Sequence, residues 1–129
     1  MPADAATIRS AVDAYCAAFT SGDRAAYVGL FAADATVEDP IGSPVNVGSE
    51  AIGAFFDAMT GVADSVELRR TGPVRVAGNE AAWPLQARPT IGGATMCVDI
   101  IDVMTFDDAG KITTMRAFWD PSEMRPAED

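Results

Sequence analysis

The chain has 129 residues, a formal net charge of −10 and no histidine. This length fits one domain, and residues 1–129 are expected to form one, because the 49% apolar and 22% charged residues are ordinary globular usage. The absence of histidine excludes Ser-His-Asp and Cys-His catalysis and removes the commonest ligand of transition metals. With 9 basic against 19 acidic residues, the chain is not expected to bind nucleic acid.

The cysteines, the single lysine and the absence of a targeting segment narrow the chemistry and the compartment that are expected. Cys16 and Cys97 lie far apart and outside any CxxC motif, which favours two free thiols without excluding a disulfide. The only lysine, Lys111, falls in a turn-like segment, and its expected exposure argues against a Schiff base. The sequence contains neither a signal-peptide pattern nor an apolar stretch of the roughly 18 residues that a membrane span needs. A soluble cytoplasmic protein without membrane insertion is therefore expected.

The first half of the chain carries helical patterns. Asp4 is a suitable N-cap for a helix over residues 4–20, and Gly22 is suited to end it. A second helix is predicted from Asp23 to about residue 31, followed by a short strand over residues 35–39. Ser49 is expected to cap a third helix that ends at residue 61.

From residue 65 onward the pattern is typical of β-structure. The candidate strands cover residues 65–77, 80–89, 94–106 and 111–119, and residues 121–129 are polar and expected to fray. Helices followed by long strands predict an α+β fold. We expect a curved antiparallel sheet with three helices packed over its concave face, which gives a cone with a pocket inside.

The strand over residues 94–106 carries two aspartates among apolar residues. Period-2 alternation places Asp99 and Asp102 on opposite faces. Because both faces are apolar, at least one carboxyl is expected to be dry, and a dry carboxyl without a counter-charge takes up a proton. The pattern alone favours a simpler interpretation of Asp99, as an edge residue bound to a backbone amide or an arginine.

Two further residues could carry chemistry. Asp39 ends the predicted short strand, and the pattern alone favours a turn aspartate before Pro40. Tyr15 lies on the apolar stripe of the first helix, where a buried phenol needs a partner or a ligand. A packed core tyrosine is the simpler interpretation.

The chain nevertheless resembles a known family. The segment ADATVEDPIG at residues 33–42 closely resembles the hallmark segment of the bacterial ketosteroid isomerases, or steroid Δ-isomerases. The resemblance continues in TGPV at residues 71–74, is densest in DIIDVMTFD at residues 99–107, and ends in AFW at residues 117–119. These motifs follow the family's order and spacing over most of the chain.

The resemblance implies a nuclear transport factor 2-like cone that pairs into a homodimer and uses no cofactor. It implies isomerisation of Δ5-3-ketosteroids to conjugated Δ4-3-ketosteroids. Asp39 matches the family's base, which carries a proton from carbon 4 to carbon 6, and Tyr15 matches the phenol that donates to the dienolate oxygen. Asp99 is matched to the second donor, a carboxylic acid that stays protonated. The resemblance alone implies this division of roles among the two carboxyls and the phenol.

The resemblance also implies an apolar pocket lining. Its members are Val37, Phe56, Trp83, Leu85, Met115, Ala117 and Trp119, with core packing as the alternative for Leu85 and Met115. Some family members carry tyrosines at the positions of Phe31 and Phe56, which hydrogen-bond the catalytic phenol. Tyr27, the only other tyrosine here, has no spacing that places it near Tyr15.

Other functions remain open on the same fold. They are a non-catalytic binder of a steroid or other small hydrophobe, a SnoaL-like polyketide cyclase, and an epoxide hydrolase. An epoxide hydrolase uses an Asp/Arg/Asp set, and no arginine aligns convincingly with a pocket face. The joint presence of Tyr15, Asp39 and Asp99 favours the isomerase. A dimer is further suggested by one strand face that looks too apolar for water, formed by Met96, Val98, Ile100 and Met104.

Overall fold

Three α-helices pack against a curved sheet in residues 2–128, the part of the chain that the computed structural model describes. They are α1 (Ala5–Ser21), α2 (Arg24–Val28) and α3 (Gly48–Gly61). Asp4 caps α1 by accepting a 2.8 Å hydrogen bond from the Thr7 amide, and Gly22, at a φ of 72°, ends the helix. The predicted first helix is therefore confirmed at both ends.

The other two helices differ from the prediction at one end each. Helix α2 stops at Val28, because the chain turns at Gly29 and Phe31 already opens a strand. Helix α3 starts at Gly48, so Ser49 lies inside its first turn and does not cap it. Val47 holds the N-cap position, where an aliphatic side chain cannot accept a hydrogen bond.

The predicted strands occur in the expected order, but the strand predicted over residues 35–39 begins earlier, at Phe31, and short strands over residues 46–47 and 125–126 were not predicted. One predicted strand is also interrupted. Residues 71–74 separate two short strands, so the prediction of a single strand over residues 65–77 is wrong; here the Thr71 amide donates to the Pro84 carbonyl at 3.1 Å. The strands are β1 (Phe31–Glu38), β2 (Asn46–Val47), β3 (Ser65–Arg70), β4 (Arg75–Ala77), β5 (Glu80–Ile91), β6 (Ala94–Phe106), β7 (Ile112–Phe118) and β8 (Arg125–Pro126).

The sheet is mixed, with the order β2-β1-β7-β6-β5-β3; β4 pairs with β5 and β8 with β6. Strand β1 runs parallel to β7, with Val37 opposite Met115 and Glu38 opposite Arg116. The expectation of a wholly antiparallel sheet is therefore wrong at this pair. A parallel neighbour needs a long crossover, and α3 with strands β2–β6 supplies one.

The polar residues after β7 form a turn and a short strand. A short 3₁₀ turn (Pro121–Glu123) leads into β8, where Arg125 pairs with Cys97 and Pro126 with Met96. Through β8 these residues continue the hydrogen bonding of β6, and the fraying expected in solution stays a prediction. Asp129 lies outside the described residues.

The core lies between the helices and the concave face of the sheet. Val98 and Met104 of β6 are buried there, within the chain. The strand face that suggested a dimer thus points inward, and that argument from the pattern is wrong. The opposite, outer face exposes Ile101 (46%) and Phe118 (41%). Cys16 and Cys97 are free thiols, and no helix in residues 2–128 is long and apolar enough to cross a membrane.

Candidate active site

A cavity of about 290 Å³ opens between α1, the end of α3 and the concave face of the sheet. Its lining contains two carboxyls and a phenol, from Asp39, Asp102 and Tyr15, and the indole of Trp119. The remaining lining side chains are apolar: Phe19, Met59, Val62, Val66, Leu68, Leu85, Ala87, Pro89, Ile91, Val98, Ile100 and Met124. Residues 2–128 hold no cluster of three or more His, Cys, Asp or Glu side chains arranged for a metal ion.

Tyr15 enters the cavity from the buried stripe of α1. It is only 2% exposed, and its ring meets the edge of Trp83 at a centroid distance of 5.9 Å. Burial raises the pKa of the Tyr15 hydroxyl well above the usual phenol value, and the Asp102 carboxyl raises it further. Tyr15 is therefore a neutral hydrogen-bond donor at physiological pH.

Asp39 follows directly after β1 and is held by the end of β7. The Nε1 group of Trp119 donates a 2.6 Å hydrogen bond to its Oδ1 atom. Burial raises the pKa of Asp39, while the hydrogen bond from Trp119 opposes that shift by stabilising the carboxylate. Asp39 is thus a partly desolvated carboxylate, which makes it a stronger base than one in water.

Asp102 projects from β6 into the same cavity and is 2% exposed. Burial raises its pKa well above the usual range, and the nearby Asp39 carboxyl adds to the rise because two like charges oppose each other. Of the two carboxyls, Asp102 is therefore the one whose burial more strongly favours the protonated form. A protonated carboxyl can donate a hydrogen bond.

Asp99 does not reach the cavity, which corrects the placement taken from the resemblance. Its side chain is 67% exposed on the outer face, where it accepts from Gln86 at 3.2 Å and pairs with Arg125 at 3.1 Å. The simpler interpretation, an aspartate bound to an arginine, is the one that the structure supports. The expected dry carboxyl is Asp102, because the face of β6 that includes Val98 and Asp102 is the concave one.

The predicted apolar lining is correct for two of its residues. Leu85 and Trp119 line the cavity. The others lie beneath it in the core, fully packed: Val37, Phe56, Trp83, Met115 and Ala117. Val98 and Ile100 also line the cavity, although they were not predicted to do so. Strand alternation places both on the same face as Asp102, and this pattern could have identified them.

Tyr27 is also nearer the site than its spacing suggested. Its ring centroid lies 5.7 Å from that of Tyr15, because α2 folds back beside α1 after the turn at Gly22. The Tyr27 side chain is fully buried. A second tyrosine therefore packs directly against the phenol of the cavity.

Comparisons with known proteins agree with this fold. The model of the SnoaL-like domain family matches residues 12–115, and the chain belongs to that family. It is also a homologue of a steroid Delta-isomerase: the enzyme of that name from Nocardioides simplex is 41% identical over 119 residues, which cover 92% of this chain and 94% of that protein. This homology indicates an isomerase.

A solved structure has the same fold. SalBIII, described as an epoxide hydrolase/cyclase-like enzyme in pyran ring formation in the polyether salinomycin, superposes with a TM-score of 0.87 at 27% identity. The match covers 96% of this chain and 98% of that one. The α+β architecture of the nuclear transport factor 2-like and SnoaL-like proteins is thereby confirmed, with a mixed sheet in place of the expected antiparallel one.

Proposed function

We propose that this protein isomerises Δ5-3-ketosteroids to Δ4-3-ketosteroids. The observation that carries the proposal is the convergence of two carboxyls in different environments and one phenol in a single apolar cavity. Asp39 is poised as a base, while Tyr15 and Asp102 are poised as neutral donors. The homology to a steroid Delta-isomerase supports the same reaction.

In the proposed reaction Asp39 removes a proton from carbon 4 of the steroid. The electron pair of that C–H bond becomes a double bond between carbons 3 and 4, and the π pair of the carbonyl moves onto its oxygen, giving a dienolate. The carboxylic acid of Asp39 then returns the proton to carbon 6, where the π pair of the original double bond between carbons 5 and 6 binds it. The oxygen pair re-forms the carbonyl, the pair between carbons 3 and 4 becomes the conjugated double bond between carbons 4 and 5, and Asp39 is again a carboxylate. Proton and electrons balance within substrate and protein, so the reaction consumes no co-reactant.

The two neutral donors lower the barrier to forming the dienolate. A carbon acid next to a ketone is too weak for a carboxylate to deprotonate unless the developing oxyanion is stabilised as it forms. Tyr15 and Asp102 supply hydrogen bonds fixed in place before the reaction, and one such donor is typically worth about 3–4 kcal/mol. Asp102 fills the role for which the resemblance named Asp99, because Asp102 lines the cavity and Asp99 does not.

The rest of the cavity suits a ring system without charge. Apart from the two carboxyls, the phenol and the indole, its lining is aliphatic, aromatic or thioether in character. Binding there is driven by burial of apolar surface, at about 25 cal/mol per Å². A flat hydrocarbon skeleton whose one ketone lies beside Asp39 and Asp102 matches this distribution of polar and apolar lining residues.

A second candidate is epoxide opening. SalBIII has the same fold, and two carboxyls in one cavity can act as general acid and base on an epoxide. The cavity lining in the described residues contains no arginine, which sets it apart from an Asp/Arg/Asp arrangement. The isomerase remains the better-supported function, and a non-catalytic binder is the further alternative.

The test is the ultraviolet absorbance of the conjugated enone after a Δ5-3-ketosteroid is mixed with the protein. Growth of that absorbance well above the buffer rate, and its loss in an Asp39→Asn variant, are expected. Steroid binding without enone formation would favour a binder. Turnover of a polyether-type epoxide without enone formation would favour the cyclase-like activity.

A further inference from the structure

The hydroxyl of Tyr27 is a buried polar group in an aromatic cluster. Its ring lies 5.0 Å from that of Phe31 and 4.8 Å from that of Phe56, and Phe19 closes a third side at 5.0 Å. The hydroxyl has no hydrogen-bond partner within residues 2–128. A buried donor without a partner destabilises a fold, and phenylalanine would fill the same space without that cost.

The remaining ring beside Tyr27 is that of Tyr15, at 5.7 Å and an angle of 45°. All the other rings in contact with Tyr27 belong to phenylalanines, so Tyr15 carries the one other hydroxyl among them. Burial raises the pKa of Tyr27 well above the usual phenol value, and the carboxyls of Asp39 and Asp102 raise it further. Tyr27 is thus a neutral hydrogen-bond donor that interacts electrostatically with the carboxyls of the cavity.

We propose that Tyr27 is a positioning residue whose hydroxyl donates a hydrogen bond to the Tyr15 oxygen as negative charge develops in the cavity. The inference rests on the proposed function, since it assigns Tyr27 a part in stabilising the dienolate. When Tyr15 donates to an oxyanion, its own oxygen becomes more negative and a better acceptor, so the two bonds strengthen each other. Hydrogen bonds of this kind are often long in a ligand-free protein and shorten in the reacting complex.

The first test is Tyr27→Phe, which removes the hydroxyl and keeps the ring. We expect kcat to fall roughly 2- to 10-fold, the size of one neutral hydrogen bond, at unchanged KM. The melting temperature should stay the same or rise, because the unpaired hydroxyl is gone. If Tyr27 were purely structural, the substitution would lower the melting temperature and leave kcat unchanged, which is the opposite result. Unchanged kcat would overturn the proposal.

A double-mutant cycle with Tyr15→Phe tests the route of the effect. If Tyr27 acts through Tyr15, the Tyr27→Phe change has no further effect on kcat once the Tyr15 hydroxyl is absent. Equal losses in both backgrounds would instead assign Tyr27 a general packing role and contradict the proposal.

A phenolic dienolate mimic, such as a naphthol whose ionised form absorbs at longer wavelength, tests the inference without turnover. We expect a smaller ionised fraction of the bound mimic in Tyr27→Phe than in the unaltered chain, because the oxyanion site has lost donor strength. An equal fraction would overturn the proposal. If the unaltered chain binds the mimic but forms no enone, the proposed function fails while this measurement still decides the role of Tyr27.

Discussion

The indole of Trp119 and the carboxylate of Asp39 join the ends of two parallel strands through one 2.6 Å hydrogen bond. Asp39 follows the last residue of β1, and Trp119 follows the last residue of β7. Because β1 and β7 run in the same direction, their carboxyl ends meet at one edge of the sheet. The parallel pairing of β1 and β7 is therefore what brings the base and its donor together.

Replacing Trp119 by phenylalanine should move the acid limb of the pH profile. The hydrogen bond from Trp119 lowers the pKa of Asp39, so its loss raises that pKa. Since the base works only when ionised, the fall of kcat at low pH should begin at a higher pH in Trp119→Phe. The measurement is kcat against pH for both proteins, and coinciding acid limbs would show that the bond does not tune the base.

Asp39→Asn should abolish most turnover and preserve steroid binding. The amide has the shape of the carboxyl but cannot accept the carbon-bound proton, and a positioned base contributes about 10²- to 10⁴-fold. Asp34→Asn is the matched control, because Asp34 lies on the same strand and is exposed. Enone formation and steroid affinity are measured together, and a near-native rate in Asp39→Asn would remove Asp39 from the mechanism.

The roles of Asp102 and Asp99 can be separated by paired substitutions. Asp102→Asn keeps a donor and should lose little rate, whereas Asp102→Leu removes the donor and should lose about 10²-fold or more. The same two substitutions at Asp99 should leave the rate nearly unchanged, because that side chain faces solvent. Severe loss in both Asp102 variants would mean that an ionised Asp102 is required, contrary to its assignment as a neutral donor.

The burial of Asp102 should also make stability depend on pH. Its pKa is raised in the folded protein, so its contribution to stability is fully present below the unfolded pKa of about 3.9 and is lost as pH rises through the folded pKa. The amide of Asp102→Asn does not ionise, so this variant avoids the loss. Its free energy of unfolding should therefore rise relative to that of the unaltered chain as pH increases. Urea unfolding at acidic, neutral and alkaline pH checks this, with Asp99→Asn as the surface control. A stability difference independent of pH would contradict it.

A homodimer is expected in solution, as the resemblance implies. The inward-facing residues of β6 cannot form its interface, but the outer face exposes Ile101 beside Phe118, which are paired in register across β6 and β7. Light scattering should give twice the 13.5 kDa of the chain, and Ile101→Glu should shift the particle toward the single chain. A 13.5 kDa particle of the unaltered protein at micromolar concentration would rule the dimer out.

Local patterns were sufficient for most elements but not for the choice between the two aspartates of β6. Alternation correctly puts Asp99 and Asp102 on opposite faces, and both faces are apolar in sequence. Which face of β6 is concave depends on how the sheet curves around the helices. That curvature is determined by contacts between residues far apart in the chain. The assignment of Asp99 came from the resemblance, and the strand pattern could not correct it, because alternation does not say which face of a sheet is concave.

Tyr27 illustrates the same limit for helices. The periodic stripe places Tyr15 inward, and the cap residues fix where α1 ends and α2 begins. The angle at which α2 returns past α1 is set by the turn around Gly22 and by packing on Phe31 and Phe56. Sequence spacing alone carries no measure of that angle, so the contact between the two tyrosines emerged only in the structure.

The two-residue strand β8 bears on how long a ligand stays bound. It follows Met124, a lining residue of the cavity, and pairs with β6 at Met96 and Cys97. The nearby ion pair between Arg125 and Asp99 is exposed, and such pairs stabilise little. Such a short strand can detach without unfolding the domain. Residence time in the cavity would then follow the local opening of this segment, separately from the rate of the chemical step.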